Sequence, residues 1–315
     1  MTRAREIRVV EVGPRDGLQN ERAILPVESR IALIRSLAAA GIETIEAGSF
    51  VSAERVPQMA GSEAVLQGVS TAGAEASGLR LPVLVPNRRG LADAVAAGAR
   101  DIAVFAAASE TFSRKNLNRG IAKSLAEYEG VITDALAAGI SVRGYISCVL
   151  GCPFEGAVPT AKVVAVAEAL LAMGCIEVAL GDTIGIGTPD RARALVSEVA
   201  RAVGAAQVAL HFHDTYGQAL ANVLACLDLG IGTVDSAVAG LGGCPFAPGG
   251  SGNLATEDLL FMLEGLGFDT GIDIDAVAQA GRAVCEEIGT QSRSRAGIAL
   301  APPRNDPEGA CSTPA

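Results

Sequence analysis

The feature that most constrains this chain is a unit repeated eight times, a short apolar or β-branched run followed in most cases by an Ala- and Leu-rich helical stretch. Strands are predicted at 7–13, 43–49, 79–86, 101–109, 141–150, 177–182, 207–214 and 233–241. Helical patterns at 29–40, 91–98, 122–139, 161–174, 189–204, 217–230 and 256–267 alternate with them. Gly41, Gly98, Gly139, Gly174, Gly204 and Gly230 stand where left-handed C-caps fall. Pro189 after Thr188 reads as a first-turn proline behind an N-cap. Alternating strands and helices build a parallel sheet, and eight regular units in 315 residues favour an α/β (β/α)8 barrel over an open doubly wound sheet. The run 102–108, IAVFAAA, is apolar throughout, as a strand packed on both faces has to be. A further helix at 273–288 forms a short C-terminal extension. Residues 1–298 therefore read as a single catalytic barrel domain, and 299–315, rich in proline, as a disordered tail.

Composition removes several function classes. The chain is 50% hydrophobic and only 19% charged, so it buries enough apolar surface to fold. A net charge of −10 argues against a broad nucleic-acid surface. The longest uncharged run, 236–256, is long enough to cross a bilayer, but its six glycines and two prolines rule out a continuous apolar helix. The N-terminal MTRAREIRVVEVG enters a strand without an apolar signal region. Seven cysteines, scattered and without zinc-type pairs, point to a reduced, cytoplasmic protein.

In a barrel of this kind the reactive groups gather at the C-terminal ends of the strands. Arg15 and Asp16 follow the first predicted strand, Glu46 lies near the end of the second, and Ser109 and Glu110 close the fourth. Tyr145 and Ser147 lie in the fifth, Asp182 ends the sixth, His211 and His213 end the seventh, and Cys244 and Asn253 follow the eighth. The two histidines are the only ones in the chain. Two apart on a strand, they face the same side and either share one ion or are hydrogen-bonded partners in a polar strand end. Asp16, one strand removed across the eighth, favours the ion, and Asp and Asn with two His suit Mg2+ or Mn2+ better than a thiolate-seeking metal. Arg15 suits an oxyanion or enolate at the barrel mouth, or an ion pair with Glu46 or Asp182. Cys244 sits in a glycine-rich loop able to move, as a proton donor, a nucleophile or a packed small residue. Cys152, in Gly151-Cys152-Pro153-Phe154, echoes Gly243-Cys244-Pro245-Phe246, and residue chemistry does not choose between them. The loop lacks the Gly-Lys-Ser/Thr ending of a nucleotide-hydrolysing phosphate site.

From about Val10 to Gly267 the chain resembles the 3-hydroxy-3-methylglutaryl-CoA lyase family, among the metal-dependent lyases and Claisen synthases built on a TIM barrel. The resemblance rests on VGPRDGLQNE, SFVSAERVPQM, SVRGYISCVLGCPFEG, GDTIGIGTP, HFHDTYGQALAN, and VAGLGGCPF followed by SGNLATEDL. It implies a divalent metal held by Asp16, His211, His213 and Asn253, with Arg15 on the thioester enolate and Cys244 as acid/base. It also implies supporting acids at Glu46, Asp182 and Glu257, and Tyr145 near the arginine. Asp182 and His211 are the candidates for the base that takes the substrate hydroxyl proton. The implied substrate is a small acyl-CoA, the implied pathway leucine breakdown and the implied assembly a homodimer, with no nucleic-acid or membrane partner. Phe212 stands between the histidines where relatives often have Cys, and it is expected to point away from the metal. Cys311 is only a loose counterpart of a C-terminal redox cysteine found in some members. Isopropylmalate and homocitrate synthases usually follow Arg-Asp-Gly with Glu-Gln, whereas Gly17 here precedes Leu18-Gln19. A lyase acting on a related 3-hydroxyacyl-CoA shares all of these motifs.

Overall fold

A computed structural model describes residues 6–70, 78–243 and 252–302. The strands are β1 (Arg8–Glu11), β2 (Thr44–Ile45), β3 (Gly48–Ser49), β4 (Val83–Leu84), β5 (Asp101–Ala107), β6 (Ser141–Ser147), β7 (Glu177–Asp182), β8 (Val208–Phe212) and β9 (Thr233–Ser236). All pair in parallel, in the order β2-β1-β9-β8-β7-β6-β5-β4-β3. The two ends of that order, β2 and β3, are halves of one segment, so the sheet closes on itself. The Glu46 amide donates to the Glu11 carbonyl at 2.9 Å and the Ala47 amide to the Pro82 carbonyl at 2.9 Å, carrying the ladder across the break. The result is the expected (β/α)8 barrel with its second strand divided.

The helices are α1 (Val27–Ala39), α2 (Ser62–Ser70), α3 (Arg88–Ala96), α4 (Glu110–Leu117), α5 (Ile121–Ala137), α6 (Thr160–Ala172), α7 (Pro189–Val203), α8 (Ala219–Cys226), α9 (Thr256–Gly265), α10 (Ile274–Ile288) and α11 (Arg295–Ala299). All six glycines predicted as helix ends have positive φ. Helices α2, α4 and α11 escape the sequence reading, and the boundary expected at 298 falls within α11. Helix α4 is mostly polar and is set by its cap, the Ser109 hydroxyl accepting from the Phe112 amide at 3.2 Å. The strand predicted at 79–86 contracts to Val83–Leu84, bracketed by Pro82 and Pro86, which cannot donate to a ladder.

The core has two shells. Large aliphatics such as Ile34, Ile45, Ile102, Ile132, Leu180 and Leu210 fill the space between strands and helices. Inside the barrel a smaller cluster of Leu84, Ala103, Tyr145, Ala179 and Ala209 leaves room for polar chemistry. Alternation along each strand makes this split. On β7, Ala179 faces inward while Val178 and Leu180 belong to the outer shell. Phe212 likewise packs in the outer shell, away from the histidines that flank it.

Candidate active site

At its C-terminal end β1 runs into a single π-helical turn, Gly13–Gly17, that presents Arg15 and Asp16 to the barrel mouth. The inward face of β8 continues from Ala209 through His211 to His213. His213 pairs in an antiparallel bridge with Asn253. Ligand atoms of Asp16, His211 and His213 lie within 4.8 Å of one another. The Asn253 side-chain amide donates to Asp16 Oδ2 at 3.0 Å and to the Leu241 carbonyl at 3.2 Å.

This donor set fits a divalent cation. His213 Nδ1 is buried without a hydrogen-bond partner. Burial and the neighbouring His211 push the His213 pKa down to about 4, which keeps the imidazole neutral and its lone pair available. Burial works against the Asp16 charge, but Arg15 and the two histidines outweigh it and hold the carboxyl down at about 2. The cluster therefore offers an anionic oxygen and a neutral His213 nitrogen beside His211, a common ligand chemistry for such ions.

Arg15 is buried beside this cluster. Its Nε donates to Glu46 Oε2 at 2.7 Å and its Nη1 to Asp16 Oδ1 at 2.6 Å. Its guanidinium carbon lies 5.3 Å from the centre of the Tyr145 ring. Burial opposes the charge, but Glu46 and Asp16 more than restore it, so Arg15 stays cationic. Of the two partners expected for Arg15, it takes Glu46. Burial pushes the Glu46 pKa up despite that arginine. Tyr145 closes the arrangement, donating to Glu46 Oε2 at 3.3 Å, and its ring meets His211 edge-on at 5.5 Å. A cavity of about 820 Å³ opens over these groups and is lined by Arg15, Asp16, Tyr145, Ser147, His211 and His213, and also by Phe105, Phe112, Asn87 and Arg119.

Asp182 does not join them. Gly181 and Thr183 line the cavity, but the Asp182 carboxylate turns to the opposite face of β7 and accepts from the Gly187 amide at 2.8 Å. Burial raises its pKa. The geometry makes it a brace of the 183–187 turn, where the sequence offered it as a base. Cys152 is also set apart, buried and accepting from the Ser109 hydroxyl at 2.9 Å and the Phe154 amide at 3.3 Å. Cys244 and Cys311 lie outside the described residues. The chain just before Cys244 is held by several hydrogen bonds. Arg293 donates to the Gly240 and Gly242 carbonyls at 3.1 and 2.7 Å, and the Gly242 amide donates to Glu21 at 3.2 Å.

Two buried acids grip the turn at Val238–Gly240 from behind. Glu11 accepts from the amides of Gly13 and Val238 at 2.7 and 2.9 Å, and from the Thr256 hydroxyl at 2.6 Å. Glu257, at the start of α9, accepts from the Ala239 amide with both oxygens at 3.0 Å. Burial raises their pKa values to about 7 and about 8. A carboxyl raised above its unfolded value binds a proton preferentially in the folded state. Its stabilising contribution is full below about pH 4.5 and is lost as pH rises through the folded pKa. Glu257→Gln, which mimics the protonated acid, is expected to flatten the fall in stability that urea melts of the parent should show between about pH 4.5 and about pH 8. Parallel pH profiles for the two proteins would contradict this.

Sequence reasoning missed Asp235 on β9 and Arg143 on β6. Asp235 Oδ2 lies 3.1 Å from His211 Nδ1, and both Asp235 oxygens accept from Arg143, at 3.0 and 2.6 Å. Arg143 also donates to the Tyr145 hydroxyl at 2.9 Å. The signal was present in each strand, a charged residue within a run that a parallel barrel buries on both faces.

A family model described as HMGL-like matches residues 6–284. The chain belongs to this HMGL-like family. It is 54% identical to the hydroxymethylglutaryl-CoA lyase of Pseudomonas mevalonii over 295 residues, 94% of this chain and 97% of that protein. The hydroxymethylglutaryl-CoA lyase crystal structure from Pseudomonas aeruginosa has a TM-score of 0.91 at 49% identity, covering 95% of this chain and 99% of that one. An HMG-CoA lyase from Acinetobacter baumannii, solved with coenzyme A and 3-methylmalate, has a TM-score of 0.89 at 36% identity, covering 97% and 98%. This HMGL-like chain keeps its cavity at the C-terminal strand ends. Among the described residues no helix is long and apolar enough to cross a membrane.

Proposed function

We propose that this chain is a carbon–carbon lyase that cleaves 3-hydroxy-3-methylglutaryl-CoA to acetoacetate and acetyl-CoA. The observation that carries this reading is the meeting of Arg15 with the Asp16, His211 and His213 cluster in one cavity, in a chain about half identical to named lyases over nearly its whole length. A divalent ion, Mg2+ or Mn2+, held by Asp16, His211, His213 and Asn253, would supply Lewis acidity toward the substrate's C3 hydroxyl and carboxylate. The C3 hydroxyl loses its proton, the C2–C3 bond breaks to leave the ketone of acetoacetate, and the electron pair passes to the enolate of acetyl-CoA. Arg15 meets the enolate oxygen with a fixed positive charge, and Glu46 and Tyr145 hold the guanidinium in place. Cys244 returns a proton to C2. Of the two groups considered for the hydroxyl proton, His211 faces the cavity and Asp182 faces the 183–187 turn; for His211 that role is an alternative to ligation, because its cavity-side lone pair serves one or the other.

Replacing Cys244 with Ala is expected to lower kcat by about 10²–10⁴, the usual worth of a placed proton donor, with Mn2+ affinity unchanged. Loss of metal binding in that variant would remove Cys244 from the acid/base role. A related 3-hydroxyacyl-CoA is the second reading, because the cluster contacts only the hydroxyl and carboxylate. Cleavage of 3-hydroxy-3-methylglutaryl-CoA compared with its 3-demethyl homologue decides between them. We read the protein as cytoplasmic, with residues 1–298 as the catalytic unit and 299–315 as a tail. We also read it as a homodimer, a reading supported by the exposed apolar side chains of Phe261 and Ile298 on the neighbouring helices α9 and α11.

A further inference from the structure

The barrel interior beneath the cavity carries charges that the proposed chemistry does not touch. Arg143 is enclosed there, with Asp235 on one side and Glu177 Oε1 2.8 Å from its Nε on the other. Its Nη1 also reaches the Tyr145 hydroxyl at 2.9 Å. Asp235 is 2% exposed. Its Oδ2 faces His211 Nδ1 at 3.1 Å, while His211 Nε2 lies on the cavity side, 3.8 Å from Asp16 Oδ2. Arg15, Glu46, Tyr145, Arg143, Asp235 and His211 thus follow one another in a chain of polar contacts around the inside of the barrel. Asp235 sits in it between the arginine and the histidine.

We propose that Asp235, seated on Arg143, is a positioning residue that fixes His211 in the tautomer with its proton on Nδ1 and its Nε2 lone pair toward the cavity. The physical argument is one of donors and acceptors. An ionised carboxylate only accepts, so the 3.1 Å contact places the imidazole proton on Nδ1. The bidentate Arg143 contact fixes the plane of the carboxylate and occupies its other oxygen. His211 cannot then turn over without breaking a buried, charge-assisted contact. Either use of His211 under the proposed function, as metal ligand or as proton acceptor, needs the Nε2 lone pair. The inference rests on that reading only for its consequence in catalysis. The tautomer itself belongs to the protein without metal or substrate.

The test exploits the chain's having only two histidines. In the full-length, metal-free protein labelled with 15N, long-range 1H–15N spectra resolve both imidazoles and report which nitrogen of each carries the proton. His211 is expected with Nδ1 protonated and Nε2 bare. In Asp235→Asn the new amide can donate to Nδ1, which moves the proton to Nε2, the nitrogen facing the cavity. The Mn2+ affinity read by electron paramagnetic resonance is then expected to fall about 10–100-fold, the usual effect of removing an outer partner of a ligating histidine. A purely structural Asp235 would lower the melting temperature and leave both the tautomer and the affinity where they were. That result, or a parent His211 with Nε2 protonated, overturns the proposal. The parent spectrum decides the question even if the variant does not fold. Failure of the parent to cleave 3-hydroxy-3-methylglutaryl-CoA would count against the proposed function and leave this tautomer assignment standing.

Discussion

Arg15→Met is expected to lower kcat for cleavage by about 10²–10³, the effect of removing one preorganised donor from a developing oxyanion. The guanidinium is buried between Glu46 and Asp16, so its charge and direction are set before substrate arrives. With the arginine gone, the buried Glu46 carboxylate keeps only the Tyr145 hydroxyl and, its pKa already raised by burial, takes up a proton. Protonation of Glu46 offsets the net charge, but nothing replaces the cation that faced the enolate oxygen. Arg15→Lys is expected to recover little, because an ammonium cannot donate to both carboxylates with the guanidinium's fixed fork. Steady-state kinetics at saturating substrate, with a thermal melt as a folding control, checks this. A variant that melts normally and keeps the parent kcat would remove Arg15 from the chemistry.

The second large effect is expected at the metal cluster. Asp16 is its only carboxylate among the described residues, and its pKa is held down at about 2. Asp16→Asn keeps the shape of the side chain and the acceptor for the Asn253 amide, but removes the negative charge. Mn2+ affinity is expected to fall by more than the about 10–100-fold that an outer-shell partner supplies, and cleavage with it. The variant also relieves Arg15 of one anionic partner while Glu46 remains, so its melting temperature should move little. Parent-like Mn2+ affinity in Asp16→Asn would mean that the two histidines hold the ion with other oxygens.

Much of this was legible in the sequence. Eight strand–helix units and their capping glycines specify a closed barrel because each is a local signal. The His-x-His spacing puts both imidazoles on one face for the same reason. What was not legible depends on register across the barrel. Asp235 meets His211 and Arg143 only because β9, β8 and β6 present their inward faces at one height, and no spacing within a strand encodes that. Asp182 shows the limit of reading strand ends without their faces. Glu177, Ala179 and Gly181 point inward, so simple alternation sends Asp182 outward. The second strand appears in two halves because its pairing partners change between Ile45 and Gly48, from β1 on one side to β4 on the other. Sequence periodicity carries no trace of such a change.

The most direct test of the central claim is acetoacetate and acetyl-CoA release from 3-hydroxy-3-methylglutaryl-CoA in the presence of Mg2+ or Mn2+, beside an EDTA-treated control. The predicted result is equimolar release of the two products with metal and none after chelation. Absence of cleavage by protein shown to hold the ion would contradict the proposed function, and equal release after full metal removal would contradict the role given to Asp16, His211 and His213.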